Sequence, residues 1–213
     1  MTPTLYTHVL DAECYKVRLL AALLGLPLDC VAVDSYPGEE TRSEAFLALA
    51  PAGTLPVLEA GGLVLCGAPA ILTWLAATGD VTEGWMPQDP APRAQMQMWL
   101  GFSQRLSATA GAARLEAMFD MPAPEGALAA AEACLRELEL HLAIRAVDDG
   151  AWLVGDHPCI ADIACFADVA LCPDAGLLHD EFPFLRHWLY RLRALPGFLP
   201  MPGIHPLHEL RAG

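Results

Sequence analysis

A chain of 213 residues is long enough to bury one large core or two modest ones. Its 26 Asp and Glu outnumber its 12 Lys and Arg, for a formal net charge of -14, which argues against nucleic acid as a partner because phosphate-backbone binding needs a basic surface. The seven cysteines lack CxxC spacing and read as buried thiols of a reducing compartment; with no secretory leader expected at Met1 to Leu5, the expectation is a cytoplasmic protein.

Thr4 to His8 reads as a first strand. Tyr15 to Leu24 reads as a helix, since Val17, Leu20, Ala21 and Leu24 recur at helical spacing and Gly25 and Pro27 close the run. Asp29 to Val33 is a second short strand, and Glu44 to Leu49 a helical turn or two. The most informative stretch is Ala50 to Ala77. There Pro56-Val57-Leu58 and Leu63-Val64-Leu65 are two apolar runs separated by Ala60-Gly61-Gly62, and Pro69 opens a periodic run through Ile71, Leu72, Trp74 and Leu75. Proline cannot donate to a sheet ladder, so Pro56 predicts an edge position or a cis bond that turns the backbone of Leu55 outward. Such a backbone can pair with a short extended peptide, and the N–H groups of Gly67 and Ala68 can hold a carboxylate. The uncharged run Ala60 to Gly79 invites a membrane-spanning reading, which Gly61, Gly62, Gly67 and Pro69 argue against.

From Gly79 to Pro92 glycine, proline and aspartate crowd together as a linker, which divides the chain into residues 1–78, a linker at 79–92 and residues 93–213. Beyond it the texture is helical: Arg93 to Phe119, Gly126 to Val147, Ile160 to Leu171 and Phe184 to Leu195. The order β-α-β-α-β-β-α before the linker predicts a small mixed sheet covered on both sides. Lysine occurs once, at Lys16, and asparagine never. His205 and His208 have no spacing that suggests zinc, no metal site is expected, and no phosphate-binding glycine loop or nucleophile elbow is present.

The Ala50 stretch resembles the second half of the thioredoxin-like domain of cytosolic glutathione transferases, keeping Pro51, Gly53, Leu55, Pro56, Leu58, Leu65, Ala70, Ile71, Leu75 and Ala76 of that pattern. Met86 to Ala94 is similar to the family's linker, Trp99 falls where its first long helix carries a tryptophan, and Trp152 to Asp162 resembles the motif that starts its central helix. Pro183 to Trp188 and Arg191 to Pro200 are similar to its closing segments. The resemblance covers nearly the whole chain, with a bacterial branch nearest. It implies an α/β N-terminal thioredoxin-like domain plus an all-α C-terminal helical domain, a homodimer, glutathione as co-substrate and an electrophilic small molecule as acceptor.

The resemblance also locates departures. Asp11 occupies the position of the serine that supports the glutathione thiolate, Gly67 that of an acidic residue, and Ala68 that of a serine; the last two hold the γ-glutamyl end of glutathione. A carboxylate beside a thiol disfavours the thiolate, so Asp11 is a proton acceptor, a group that faces elsewhere, or a mark that the chemistry is lost. It is equally an N-cap, since aspartate is preferred ahead of a helix. Cys14, in the first turn, is a second catalytic candidate because a helix N-terminus lowers a thiol pKa. Thr54, Leu55, Pro56, Gly67 and Ala68 form the expected thiol site, and Phe102, Arg105, Thr109 and Arg114 the expected acceptor pocket. Cys159 replaces a capping hydroxyl, which weakens that cap by about 1 kcal/mol unless Asp162 compensates. Two functions follow: an enzyme joining or processing a thiol with an electrophile, specialised toward sulfur insertion in secondary metabolism or isomerisation of an anionic metabolite, or a binding or scaffold protein that kept the fold alone.

Overall fold

The computed structural model describes residues 2–79 and 84–207. The expected linker at 79–92 therefore lies partly, and His208 wholly, outside the described residues.

The first half builds a sheet. Strands β1 (Thr4–Thr7), β2 (Asp29–Ala32), β3 (Val57–Ala60) and β4 (Leu63–Cys66) lie in the order β2-β1-β3-β4. β1 pairs parallel with β2 and antiparallel with β3, which pairs antiparallel with β4 across the Gly61-Gly62 turn. A parallel pair requires a crossover, supplied by helix α1 (Ala12–Leu23). Helix α3 (Ala68–Gly79) shares the face of α1 and joins the main core, while short helix α2 (Glu44–Leu49) covers the other face through Phe46, packed with Val33, Ala50 and Val57. The uncharged run thus resolves into strand, turn, strand and helix, and among the described residues no helix is long and apolar enough to cross a membrane.

Pro56 precedes an interior strand, not an edge, and the Leu55–Pro56 bond is cis. Helix α1 begins at Ala12, three residues earlier than the apolar spacing predicts, because Asp11 caps it.

The second half is helical: α4 (Pro90–Leu106), α5 (Ala112–Phe119), α6 (Ala127–Val147), α7 (Ile160–Leu171) and α8 (Pro183–Arg193). Proline opens α4 and α8 at the first turn, where its missing N–H leaves no bond unmade. One widened π-helical turn, Ser107–Gly111, joins α4 to α5 within the run expected as a single helix. Helix α7 is the centre of the molecule. Every residue from Ile160 to Val169 is buried, and α1, α3 and α4 pack around it, so one continuous core links the sheet's helices to the helical half.

Asp162 anchors α7. Its Oδ2 accepts from the Cys159 N–H (2.9 Å), and its Oδ1 accepts from the Leu153 N–H (3.0 Å) and the Trp188 indole N–H (2.8 Å). The weak sulfur cap is thus compensated by a carboxylate that gathers three buried donors.

Candidate active site

A cleft of ≈ 360 Å³ opens where the β1–α1 loop, the loop after β2, the entry to β3 and the end of α5 converge. His8, Leu10 and Asp11 form its floor, Ser35, Tyr36 and Arg42 one side, Thr54 and Leu55 another, and Leu115, Phe119 and Met121 the roof.

Asp11 sits here because it ends the loop and caps α1. Its Oδ1 accepts from the Cys14 N–H (2.7 Å). Burial raises its pKa, and the bond to Cys14 works against that rise. The capping role and a place in the cleft therefore coexist in one side chain. Cys14 does not share it. Its thiol is fully buried, accepts from the His8 N–H (3.5 Å), and has a pKa pushed well above the ordinary value by burial and then by the charge of Asp11. The helix N-terminus that would activate an exposed thiol is opposed by desolvation, which weighs against a reactive Cys14 and leaves it outside the cleft lining.

Thr54 and Leu55 line the cleft directly. Among the described residues the backbone of Leu55 has no hydrogen-bond partner, leaving it available to an extended guest. Pro56 is buried behind it, and its carbonyl accepts from the Gly67 N–H (3.0 Å). The pair of free amides expected at Gly67 and Ala68 therefore reduces to that of Ala68, the first residue of α3, which has no partner within the helix.

The expected acceptor residues divide. Arg114 is buried and committed: Nη1 donates to the Leu10 carbonyl (2.9 Å) and Nε to Asp174 Oδ2 (2.8 Å). It ties α5 to the β1–α1 loop instead of presenting a charge to an anion. Phe102 and Arg105 line a separate hollow with Met98, Trp99 and Glu137. There Arg105 pairs with Glu137 (2.6 Å) and lies over the Phe102 ring (4.7 Å). The Thr109 hydroxyl donates to the Arg105 carbonyl within the helix (2.7 Å). The structure does not bring Phe102, Arg105 or Thr109 into the cleft with Asp11, and Arg114 reaches it only as a tether on Leu10.

The roof comes instead from Leu115 and Phe119, which sequence reasoning missed although their separation of four residues on one helix is a visible signal. Tyr36 meets this roof: its hydroxyl donates to the Phe119 carbonyl (3.3 Å) and the rings lie 4.9 Å apart. Nothing in the sequence pairs residues so distant. Among the described residues no cluster of His, Cys, Asp and Glu could hold a metal ion.

Comparison with known proteins gives a consistent result. A family model described as glutathione S-transferase, N-terminal domain, matches residues 13–78. A glutathione S-transferase-like protein from a Fusarium species, LUC7, is 31% identical over 166 residues, covering 75% of this chain and 72% of that protein. Mouse glutathione S-transferase theta-1 is 27% identical over 207 residues, covering 92% and 85%. The crystal structure of a glutathione S-transferase from Pseudomonas fluorescens superposes with a TM-score of 0.84 at 30% identity, covering 94% of this chain and 99% of that one.

Proposed function

The chain belongs to the cytosolic glutathione S-transferase superfamily, and from that premise we propose that it binds a thiol in the Asp11–Leu55 cleft and joins it to an electrophilic small molecule. The observation that carries this reading is the unpaired Leu55 backbone facing an apolar roof of Leu115, Phe119 and Met121. An extended thiol peptide pairs with the first, and a hydrophobic acceptor packs against the second. Glutathione is the proposed co-substrate. Its sulfur lies over the first turn of α1, whose positive end favours the thiolate, and Asp11, with a pKa raised by burial, takes the thiol proton. The thiolate then attacks the electrophile, with carbon–sulfur bond formation matched by loss of the acceptor's leaving group or opening of its strained or conjugated bond.

Specialised forms of this activity, sulfur insertion in secondary metabolism or isomerisation of an anionic metabolite, draw support from the unusual residues at positions 11, 67 and 68. The same residues support a second reading, a binding or scaffold protein without turnover. Loss of two charge-assisted hydrogen bonds at Gly67 and Ala68, each worth about 1.5–3 kcal/mol, weakens glutathione binding about a hundredfold or more. Retention on immobilised glutathione, or a rise in melting temperature in millimolar glutathione, followed by conjugation of an aryl halide, establishes the enzyme; binding without turnover establishes the scaffold. No response to any thiol overturns the proposed site.

The protein is further proposed to work in the cytoplasm as a homodimer. Met98 on α4, Leu140 and Ile144 on α6 and Leu63 and Val64 on β4 expose apolar surface that a second copy would cover. Light scattering should give twice the chain mass; a monomer at micromolar concentration would remove the proposal.

A further inference from the structure

The only lysine of the chain is buried. Lys16 projects from α1 into the seam with α4 and α7, where Nζ meets Glu13 Oε1, Asp168 Oδ2 (2.6 Å) and Ser107 Oγ (3.1 Å). Burial alone would lower its pKa, but Asp168 and Glu13 reverse this and hold the ammonium protonated. Ser107 opens the widened turn, and its Oγ lies 2.6 Å from Glu13 Oε1, 2.9 Å from Asp168 Oδ2 and 3.0 Å from the Ser103 carbonyl. One hydroxyl proton cannot serve three acceptors, so Lys16 supplies the remaining donors and the four side chains hold together as a unit. Gly111 closes the widened turn, and a Cβ there would lie 3.1 Å from Asp168 Oδ1. The turn is therefore fitted around this carboxylate.

A dry ionic cluster is a poor source of net stability, because desolvation offsets most of the Coulomb gain; fixing one arrangement is the better-attested use. Here the arrangement bears on the cleft. The same helical run makes two contacts on either side of Asp11, through Ser107 to Glu13 in the first turn of α1 and through Arg114 to the Leu10 carbonyl in the loop before it. Asp11 lies between those two attachment points, and the run continues to Leu115 and Phe119 in the roof.

We infer that the Glu13–Lys16–Ser107–Asp168 cluster is a positioning device that sets the first turn of α1, with Asp11, against the roof of the cleft. Ser107, Lys16 and Asp168 are positioning residues; none lines the cleft itself. Their effect on catalysis rests on the thiol-transfer reading, whereas their effect on the position of Asp11 does not.

The test removes one hydroxyl. Ser107→Ala keeps the helix and deletes the bridge between Glu13 and Asp168; Ser103→Ala, which deletes a buried hydroxyl bonded to the Leu100 carbonyl, is the control on the same helix. Amide hydrogen exchange is measured on the full chain for both variants, with circular dichroism confirming that each is folded. Ser107→Ala should speed exchange at Leu10 to Cys14 about tenfold, the equivalent of one lost hydrogen bond to a charged group, while Ser103→Ala leaves that segment unchanged. In glutathione turnover the same variant should lower kcat by a similar factor and change KM for the thiol little, because Asp11 acts in the proton transfer and not in ground-state binding. Faster exchange confined to residues 103–111 and α7, or an unchanged kcat in an active enzyme, overturns the inference. If the unmodified chain neither binds nor turns over glutathione, the thiol-transfer reading falls, and the exchange result still judges the positioning role.

Discussion

A thiol in the first turn of a helix is ordinarily among the easiest in a protein to ionise. Cys14 has that position and the opposite chemistry, because full burial and the Asp11 carboxylate both favour the neutral form. Cys30 and Cys66 are the exposed thiols. A disulfide reagent at neutral pH should therefore label those two promptly in the native protein and Cys14 only on unfolding, as read by peptide mass mapping; native labelling of Cys14 would show that the first turn opens. Asp11 is separable from its cap, since serine caps a helix nearly as well. Asp11→Ser should leave the melting temperature within about a degree and lower aryl-halide conjugation, because serine keeps the cap but cannot take the thiol proton; a raised rate would show that the carboxylate opposes the thiolate and would remove Asp11 from the proposed proton transfer. Gly67 and Ala68 are not equivalent. Serine at the buried Ala68 adds one acceptor and donor and keeps the helical backbone unstrained. Gly67 has φ of 87° with no atom within 4 Å of a built Cβ, so an acidic residue there meets open space but carries backbone strain of about 1–3 kcal/mol. Ala68→Ser should then tighten glutathione binding up to about tenfold by calorimetry, and Gly67→Glu should gain less.

Helix α7 shows how an element with a weak start can still be the best-held part of a fold. Its sulfur cap is a poor acceptor, yet Asp162 collects the N–H groups of Cys159 and Leu153 and the Trp188 indole. Asp162→Ala leaves three buried donors unpaired and should cost at least ~3 kcal/mol in urea unfolding, whereas Cys159→Ser should gain up to ~1 kcal/mol. A small effect of Asp162→Ala would mean that water replaces the carboxylate. Helix positions are largely readable from the chain because apolar spacing, proline and glycine act locally: Gly25 and Pro27 end α1, and Ile160 to Leu171 is bounded as the spacing predicts. The π-helical turn at Ser107–Gly111 was not readable. It answers to Asp168, sixty-one residues away from Ser107, and no local pattern encodes such a partner. The same limit governs the cleft. Asp11, Thr54 and Leu55 stand in short motifs, while the sequence points the acceptor wall to Phe102, Arg105, Thr109 and Arg114, because an apolar helix face looks alike on both sides until its packing is known.

Charge acts on the molecule as a whole, and here its buried and exposed parts pull in different directions as pH changes. His141 and His179 each donate a ring N–H to a backbone carbonyl, of Leu153 and Val169 respectively, and burial lowers both below the ordinary 6.5. A lowered histidine contributes stability above its unfolded pKa and loses it as pH falls through the folded value. Asp11 and Asp162 have pKa values raised above 3.8, chiefly by burial, so their contribution is complete below 3.8 and declines as pH rises through the folded values. Acidification from neutral therefore costs stability at the two histidines while the two aspartates recover it, and protonation also relieves the repulsion of a chain carrying a formal charge of -14. Two buried aspartates and the relief of net charge act against two partly buried imidazoles, and the expected stability maximum lies on the acid side of neutrality. Thermal melts from about pH 5 to about pH 8 should peak below pH 7. His179→Gln, which keeps a side-chain group able to meet the Val169 carbonyl without titrating, should extend the acid limb further. A maximum at or above pH 7 would mean that the histidines outweigh the carboxylates, and in that case His179→Gln should abolish most of the decline on the acid side.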